Sequence, residues 1–326
     1  MDREEPCHQG PPRRPRPPIR PPRPAPAHPV PARSQARRFT ALVNPVSGDG
    51  RAEQRWAGPA GLLRRAGAVV RTERTRDSAH ATEAAEAAAE AGDVVVAVGG
   101  DGLVRDVAQG VVAAGGTMGI VPAGRGNDLA RRLGLPASPR ELARVLLEGR
   151  PRAVDVIEVG EGTIVVGNVY AGVDSAANLL VNELRGLPPL LLYRLAPVWA
   201  MLRWRVPRYT LTLDGRSITL RGHTVSVANS GTYGHGLRMV PQAVLDDGVL
   251  RVMTVDAVPR HRLVPFMLRA RKGTHTGMAG VRIVTAREVV IAADRPVPLY
   301  GDGEDLGELP ARLRVRPGAL NLLSPA

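Results

Sequence analysis

Apolar residues follow a regular pattern along the chain from residue 39 onward. Up to residue 150, short apolar runs that favour β-strands alternate with longer stretches that favour helices. The predicted strands are 39–43, 68–71, 93–98 and 118–121, and the predicted helices are 52–65, 79–91, 103–114 and 128–133. Ser78 is predicted to cap the helix that follows it. This alternation is typical of a parallel sheet, so we expect an α/β domain over 39–150.

The pattern changes after Arg150, where short β-rich segments dominate. Glycine, proline and aspartate separate these segments, which are 152–159, 163–170, 207–213, 216–229, 249–256, 281–293 and 311–316. The pair Asp214-Gly215 tolerates positive φ angles and predicts a hairpin between two of the strands. Helices are predicted at 173–184, 190–204 and 259–271. We therefore expect an antiparallel β-rich domain over 151–326.

The first 38 residues differ from both domains. They contain 12 of the 30 prolines and 9 arginines, against three acidic residues. Large apolar side chains are almost absent, so this segment cannot bury enough surface to offset the entropy of ordering. We predict a disordered Pro/Arg-rich tail over 1–38, which either has no specific partner or is attracted weakly to anionic lipid or nucleic acid. It lacks the apolar stretch of a signal peptide, so export is not expected.

Composition excludes several classes of protein. The net charge is +13, but the tail supplies +6 of it, and only 3% of residues are aromatic, so nucleic acid is not an expected partner. The single cysteine, Cys7, excludes a disulfide scaffold and a cysteine-rich zinc module. The apolar stretch 187–205 contains prolines and Arg194 and is short for a bilayer span. It is either a helix packed on the β domain or, through Trp199 and Trp204, a contact with lipid.

Three glycine-rich turns follow predicted strands of the α/β domain. They are Asn44-Pro45-Val46-Ser47-Gly48, Gly99-Gly100-Asp101-Gly102 and Gly124-Arg125-Gly126-Asn127-Asp128. Glycine lets backbone N–H groups approach phosphate oxygens without a Cβ in the way. Open α/β sheets bind their ligands at the strand ends where such turns lie. We therefore predict that the three turns bind phosphate.

A P-loop enzyme uses a lysine to neutralise phosphate charge, and these turns need a different source of positive charge. The chain has no Gly-x-x-x-x-Gly-Lys-Ser/Thr sequence, and its single lysine, Lys272, lies far downstream. Backbone N–H groups, arginine and a metal ion would have to meet the phosphate charge. An acid inside a phosphate-binding turn repels phosphate unless a cation lies between them. Asp101 is therefore predicted to face Mg²⁺, with a purely turn-forming role as the alternative.

Taken together, the turns resemble the catalytic domain of diacylglycerol kinases, sphingosine kinases and bacterial lipid kinases. The resemblance covers about 39–323 and continues through Asn229 to Gly236 with Pro241 and Ala243, Asp246-Asp247-Gly248-x-Leu250, and Asp302-Gly303-Glu304. It implies the fold class α/β, with an N-terminal NAD-kinase-like α/β domain and a C-terminal antiparallel β-rich domain. It also allows the last residues to pack back on the first domain. The final two sequences separate lipid kinases from NAD kinases, which share the Gly-Gly-Asp-Gly turn.

The resemblance also implies roles for single residues. It implies that ATP is bound by Asn44, Ser47, Gly48, Thr75, Gly99, Gly100, Gly102, Gly124, Arg125 and Asn127. Asp101 would lie near the catalytic Mg²⁺, and Glu304 would be the general base that takes a proton from the lipid hydroxyl. Asp247, with the backbone carbonyls of Val244 and Val249, would bind a second, structural Mg²⁺. The residues alone leave Asp247 and Glu304 open as solvated turn acids.

Several residues depart from the family pattern. Leu103 follows the Gly-Gly-Asp-Gly turn where the family usually has Thr, Arg105-Asp106 replaces Asn-Glu, and Arg125 replaces a Thr. The loss of two hydroxyls removes potential hydrogen bonds to the nucleotide, although Arg125 can meet phosphate instead. These replacements bear on activity, nucleotide preference and rate more than on the fold.

The resemblance implies an enzyme that transfers phosphate from ATP to a lipid hydroxyl with the help of Mg²⁺. Diacylglycerol is the leading acceptor and phosphatidic acid the expected product, while sphingoid bases and other lipid alcohols stay open. The alternatives are an NAD kinase-like enzyme and a nucleotide- or lipid-binding protein without turnover. We expect a cytoplasmic protein, peripheral to the inner face of the membrane, with a lipid substrate and no nucleic acid partner. A homodimer is left open.

Overall fold

A parallel and an antiparallel sheet region organise the chain. The structure is a computed structural model that describes residues 37–183, 199–234 and 236–325. Apart from Arg37 and Arg38, the predicted tail over 1–38 lies outside these residues, as does most of the predicted helix at 190–204. Within the described ranges no helix is long and apolar enough to cross a membrane.

The parallel region has the strand order β2-β1-β3-β4. Its strands are β1 (Arg38–Val43), β2 (Val69–Arg74), β3 (Val94–Gly99) and β4 (Thr117–Pro122). Its helices are the short turn α1 (Ser47–Gly50), α2 (Ala52–Arg65), α3 (Ser78–Glu90), α4 (Asp101–Ala114), α5 (Asp128–Arg132) and α6 (Pro139–Glu148). Most residues of β1 and β3 are buried, as expected for apolar strands covered on both faces. The predicted α/β fold class is thus confirmed.

The antiparallel region follows directly. Its strands are β5 (Pro151–Val159), β6 (Thr163–Val165), β7 (Asn168–Gly172), β8 (Arg208–Leu213), β9 (Arg216–Ala228), β10 (Leu250–Asp256), β11 (Val281–Ala286), β12 (Glu288–Ala293), β13 (Pro298–Gly301), β14 (Glu304–Glu308) and β15 (Ala311–Leu323). Its helices are α7 (Val173–Glu183) and α8 (Leu263–Ala270), with a short helical segment at 199–203 and 3₁₀ turns at Arg260–Arg262 and His275–Gly277. The predicted hairpin at Asp214-Gly215 is confirmed, with φ angles of 46° and 83°.

The last strand connects the two regions. β15 pairs with β5 and β12 in antiparallel fashion, and its residues Asn321 and Leu322 pair in parallel with Thr117 and Met118 of β4. Backbone hydrogen bonds therefore run from the antiparallel region into the parallel one. The domain boundary at residue 150 stays a prediction.

Some local predictions differ from the structure. The cap of α3 is Asp77 rather than Ser78, because the Asp77 backbone is extended and its Oδ1 accepts the His80 N–H at 2.8 Å. The predicted strand 163–170 is two strands, β6 and β7, and 281–293 is divided into β11 and β12. Helix α6 and strands β13 and β14 were not predicted. β13 and β14 are short and flank a Gly-rich turn, so their apolar pattern is weak.

Close packing of α3 on α4 fixes the helix that begins at Asp101. Buried alanines of α3, including Ala81 and Ala85, face α4. Gly110 of α4 lies so close to α3 that a Cβ there would collide with the Thr82 carbonyl oxygen. The middle of α4 is therefore held against α3 by backbone-to-backbone packing, which a larger residue cannot enter.

Substitution of Gly110 by alanine tests this packing. Alanine normally stabilises a helix relative to glycine, and Gly61→Ala in α2, where nothing lies within 4 Å of the new Cβ, should raise the free energy of unfolding by about 0.5–1 kcal/mol. Gly110→Ala should instead lower it by about 1–3 kcal/mol, because α3 must move. Urea denaturation of both variants measures the two effects. A stabilised Gly110→Ala protein would contradict the packing described.

Candidate active site

The three glycine-rich turns lie side by side at the carboxyl ends of β1, β3 and β4. A Cβ at Gly48 would collide with the carbonyl oxygen of Ala123, and a Cβ at Gly124 would collide with the Cα of Gly100. Asn127 shapes the third turn, because its Nδ2 donates to the Gly124 carbonyl at 2.8 Å and its Oδ1 accepts the Gly124 N–H at 2.9 Å. The turns therefore make backbone contacts that require glycine.

Asn44 and Ser47 shape the first turn. The Asn44 side-chain oxygen accepts the Val46 N–H, and its carbonyl accepts the Ser47 N–H, both at 3.1 Å. Thr75 is buried beside the same strand end, and its backbone N–H donates to the Val43 carbonyl at 2.9 Å. The predicted nucleotide residues of the first turn thus gather at the end of β1.

Arg125 connects the third turn to the first. Its Nη2 lies 2.8 Å from Oδ1 of Asp49, and both side chains are exposed. The hydrogen bond and the charge of Arg125 lower the pKa of the Asp49 carboxyl. The guanidinium that replaces the family's Thr therefore stands at the open side of the turns.

Leu103 and Arg105 also differ from the family pattern, and the structure shows what their side chains contact. Leu103 is buried, and a Cβ at Gly99 would lie 2.7 Å from its Cδ2, so this side chain packs beneath the glycine turn. Arg105 forms an ion pair with the adjacent Asp106 at 2.6 Å. Leu103 therefore contributes to the core, and Arg105 is engaged by its neighbour.

Two carboxylates meet where α4 and α5 begin. Oδ1 of Asp101 accepts the N–H of Asp128 at 2.8 Å, and a Cβ at Gly126 would collide with the other Asp101 oxygen. Oδ1 of Asp128 accepts the N–H of Gly236 at 2.7 Å. Burial, and then the charge of Asp128, raises the pKa of Asp101 above its ordinary value of 3.8. A cation between these acids and a phosphate would relieve this repulsion.

Asp302 anchors the turn between β13 and β14. Its carboxylate accepts three consecutive backbone N–H groups, from Val166, Gly167 and Asn168, at 3.1, 2.9 and 2.8 Å. Desolvation is the main cause that raises the pKa of Asp302 to about 6, and the charge of Asp101 adds to it. The turn is therefore held against the segment between β6 and β7.

Glu304 follows this anchored turn and reaches the parallel region. A Cβ at Gly102 would lie 2.7 Å from Oε1 of Glu304, so the carboxylate lies over the first turn of α4. The N-terminus of a helix favours a negative group. The structure thus brings Glu304 next to the Asp101 turn, although the two are separated by some 200 residues of sequence.

The acids at α4 suit a magnesium ion that other ligands complete. Within 37–183, 199–234 and 236–325, no three histidine, cysteine or acidic side chains converge to hold a metal by themselves. Mg²⁺ is usually bound by one or two carboxylates together with substrate phosphates and water. The pair Asp101 and Asp128, beside a glycine-rich turn that is predicted to bind phosphate, fits that description.

At the predicted second metal site, an arginine side chain engages the predicted ligands. Arg251 Nη2 lies 2.5 Å from Oδ2 of Asp247, and Arg251 Nη1 donates to the Val249 carbonyl at 3.3 Å. The guanidinium therefore engages the carboxylate and one of the two carbonyls that were assigned to Mg²⁺. A metal does not fit Asp247 while Arg251 holds it. The metal roles of Asp247, Val244 and Val249 stay predictions.

The buried side chain of Asp155 holds the loop that contains Asp247 from the protein interior. Its Oδ2 accepts the Gly248 N–H at 2.7 Å, and its Oδ1 accepts the Gly318 N–H at 2.8 Å. On the outer side, Arg152 forms an ion pair with Asp246 at 2.7 Å. The loop is thus held by internal hydrogen bonds and two arginines.

A polar cluster beside Asp302 was missed by sequence reasoning. The hydroxyls of Tyr233 and Thr224 donate to Asp174 at 2.7 and 2.8 Å, and the rings of Tyr170 and Tyr233 stack at 4.7 Å. Desolvation raises the pKa of Asp174 above its ordinary 3.8. These residues come from β7, α7, β9 and the following loop, so only the fold joins them.

Comparison with known proteins agrees with this geometry. The model of the diacylglycerol kinase catalytic domain matches residues 38–159, and that of the YegS C-terminal NAD kinase beta sandwich-like domain matches 167–324. A diacylglycerol kinase of Mycobacterium tuberculosis is 31% identical over 301 residues, which cover 90% of this chain and 97% of that protein. The chain belongs to the diacylglycerol kinase family. Membership in this family of lipid kinases implies the use of ATP.

Other relatives place the chain in the same group. A probable lipid kinase, YegS-like, of Chromohalobacter salexigens is 28% identical over 278 residues, which cover 81% of this chain and 87% of that protein. A solved structure of a diacylglycerol kinase from Bacillus anthracis matches with a TM-score of 0.72 at 20% identity, covering 89% of this chain and 97% of that one. This likeness shows that the fold of the family extends over nearly the whole chain.

Replacement of Arg251 tests whether it holds the Asp247 loop. Arg251→Gln leaves a half-buried carboxylate without its cation and should lower the free energy of unfolding by about 1–3 kcal/mol. Arg295→Gln removes an exposed pair with Asp294 and should cost at most about 1 kcal/mol. Urea denaturation in the presence of a chelator measures both values. Equal, small effects would show that the loop does not depend on Arg251.

Proposed function

We propose that this lipid kinase transfers the γ-phosphate of ATP to the free hydroxyl of diacylglycerol and so forms phosphatidic acid. The observation that carries the proposal is the position of the Glu304 carboxylate over Gly102, next to the Asp101 turn. A base at that position faces the place where the glycine turns would hold a phosphate. The names of the Mycobacterium tuberculosis and Bacillus subtilis relatives support diacylglycerol as the acceptor.

ATP would lie across the three glycine-rich turns. Backbone N–H groups of Gly99, Gly100, Gly102 and Gly124 would face phosphate oxygens, since close approach is possible where no Cβ intervenes. Arg125, at the open side, would add charge that a lysine supplies in a P-loop enzyme. The remaining proposed nucleotide residues are Asn44, Ser47, Gly48, Thr75 and Asn127.

Asp101, with Asp128 beside it, would hold Mg²⁺ against the phosphates. When bound, the ion neutralises the charge of the transferred group and of the departing diphosphate. We derive no step from a metal at Asp247, because Arg251 engages that carboxylate.

Glu304 would act as the general base. Its carboxylate takes the proton of the lipid hydroxyl as the hydroxyl oxygen attacks the γ-phosphorus in line. The new bond joins that oxygen to phosphorus, the bond from phosphorus to the bridging oxygen breaks, and ADP leaves with the electron pair. Asp302 is a positioning residue in this scheme, because its three N–H contacts set the turn that carries Glu304. The acceptor is a membrane lipid, so the reaction would take place at the inner face of the cytoplasmic membrane.

Glu304→Gln separates catalysis from binding. The amide cannot take a proton, so the rate of phosphate transfer to diacylglycerol should fall by about 10²–10⁴-fold. Binding of ATP should persist, because the glycine turns are unchanged. Transfer is followed with γ-labelled ATP, and binding with a fluorescent ATP analogue.

Glu308→Gln is the matched control, since Glu308 is exposed on the same strand, β14. It should leave both rate and binding unchanged. Normal transfer by Glu304→Gln would remove Glu304 from the mechanism. A wild-type protein that binds ATP but phosphorylates no lipid would favour a binding protein without turnover.

A further inference from the structure

Helix α8 exposes an unusual number of large apolar side chains. Val264, Met267 and Leu268 are 53%, 44% and 59% exposed, although α8 has only eight residues. The opposite side of the helix is well packed, because Phe266 and Ala270 are buried. The helix is therefore anchored by one face and presents apolar residues on the other.

A second helical segment contributes to the same surface. Residues 199–203 are helical, and they expose Trp199 and Leu202 at 48% and 59%. Met201 packs against the core cluster that also contains Leu263 and Phe266. Arg260, just before α8, donates to the Trp204 carbonyl at 2.7 Å. We call the outward residues Trp199, Leu202, Val264, Met267 and Leu268 the α8 surface.

The charge around the α8 surface has one sign. The stretches 199–205 and 260–272 contain no acidic residue and seven arginine or lysine residues, namely Arg203, Arg205, Arg260, Arg262, Arg269, Arg271 and Lys272. In the part of the chain that the structure describes, none of the seven forms an ion pair. The Arg203 guanidinium lies 5.0 Å from the ring centre of Trp199. Exposed apolar side chains are thus bordered by cations that are not neutralised by acids.

The α8 surface is connected to the candidate active site by a short loop. The N–H of Gly236 donates to Asp128 beside the Asp101 turn, at 2.7 Å. Two residues later, the N–H of Arg238 donates to the carbonyl of Ala270 at the end of α8, at 2.9 Å. The Asp101 turn and the α8 surface are therefore joined through a few residues of backbone.

We propose that the α8 surface docks this protein on a bilayer that contains anionic lipids. Apolar side chains on a short helix, with a tryptophan beside them, enter the headgroup and acyl boundary, while flanking arginines meet lipid phosphates. The seven cations without an acid complement an anionic membrane. The proposal rests on the proposed function in one respect, that the bilayer also holds the lipid acceptor.

The test is binding of the full chain to vesicles. Val264→Gln, Met267→Gln and Leu268→Gln are combined, because glutamine keeps helix propensity while it removes apolar surface. Affinity for vesicles of phosphatidylcholine and phosphatidylglycerol should fall at least about tenfold. The control combines Val69→Thr and Ile218→Thr, which remove exposed apolar residues on β2 and β9, and should bind like the wild type. Circular dichroism and thermal unfolding check that both variants fold.

Further measurements decide whether the α8 surface binds a bilayer or a second copy of the chain. Pure phosphatidylcholine vesicles and high salt should each weaken wild-type binding, because the arginines contribute by charge. Unchanged vesicle binding by the triple variant would overturn the proposal and leave other parts of the chain to bind lipid. It would also be overturned by a wild-type dimer that dissociates in the triple variant without loss of vesicle binding, since the surface would then join two copies.

Kinase assays test membrane docking by the α8 surface separately from the proposed phosphorylation of diacylglycerol. With a short-chain diacylglycerol dispersed in water, the triple variant should match the wild type, whereas with diacylglycerol in vesicles its rate should fall with its binding. If the wild type phosphorylates no diacylglycerol and the triple variant still loses vesicle binding, the docking surface stands and the proposed reaction fails. Loss of activity on the dispersed substrate would instead place these residues in the catalytic structure and contradict a docking role.

Discussion

The carboxylate of Asp302 accepts the N–H groups of Val166, Gly167 and Asn168, and this contact decides where the β13–β14 turn stands against α4. The anchoring carboxylate is desolvated, which raises its pKa to about 6. Three hydrogen bonds to an ionised group offset part of that cost. Two residues later, Glu304 lies over Gly102, so a contact inside the β-rich region places this carboxylate against the glycine-rich turn that ends in Gly102.

The second constraint is the absence of side chains where the turns meet. Gly48, Gly124 and Gly126 bring backbone and carboxylate groups together at distances that a Cβ would prevent. This proximity concentrates negative charge around Asp101, in a chain whose single lysine is remote. The proposed cation-assisted binding of phosphate would meet both conditions, with acids standing where a P-loop has a lysine.

The sequence was informative where chemistry is local and weak where it depends on distant partners. The three glycine-rich turns could be located from the sequence because each consists of a few consecutive residues, whereas the role of Glu304 came only from the family resemblance and stays a prediction. The backbone N–H groups that donate to Asp302 lie up to 136 residues away along the chain, and no sequence pattern near Asp302 predicts them. Likewise, the resemblance located Asp247, but not the guanidinium of Arg251 that faces it. Helix caps were uncertain for a simpler reason, since Asp77 and Ser78 are adjacent and both can cap.

The proposed reaction is phosphorylation of a lipid alcohol at the site formed by the Asp101 turn and Glu304. Incubation of the full chain with γ-labelled ATP, Mg²⁺ and total bacterial lipid, followed by identification of the labelled product, tests it most directly. The account predicts label in phosphatidic acid. Absence of label from every lipid, together with label in NADP when NAD is supplied, would contradict it.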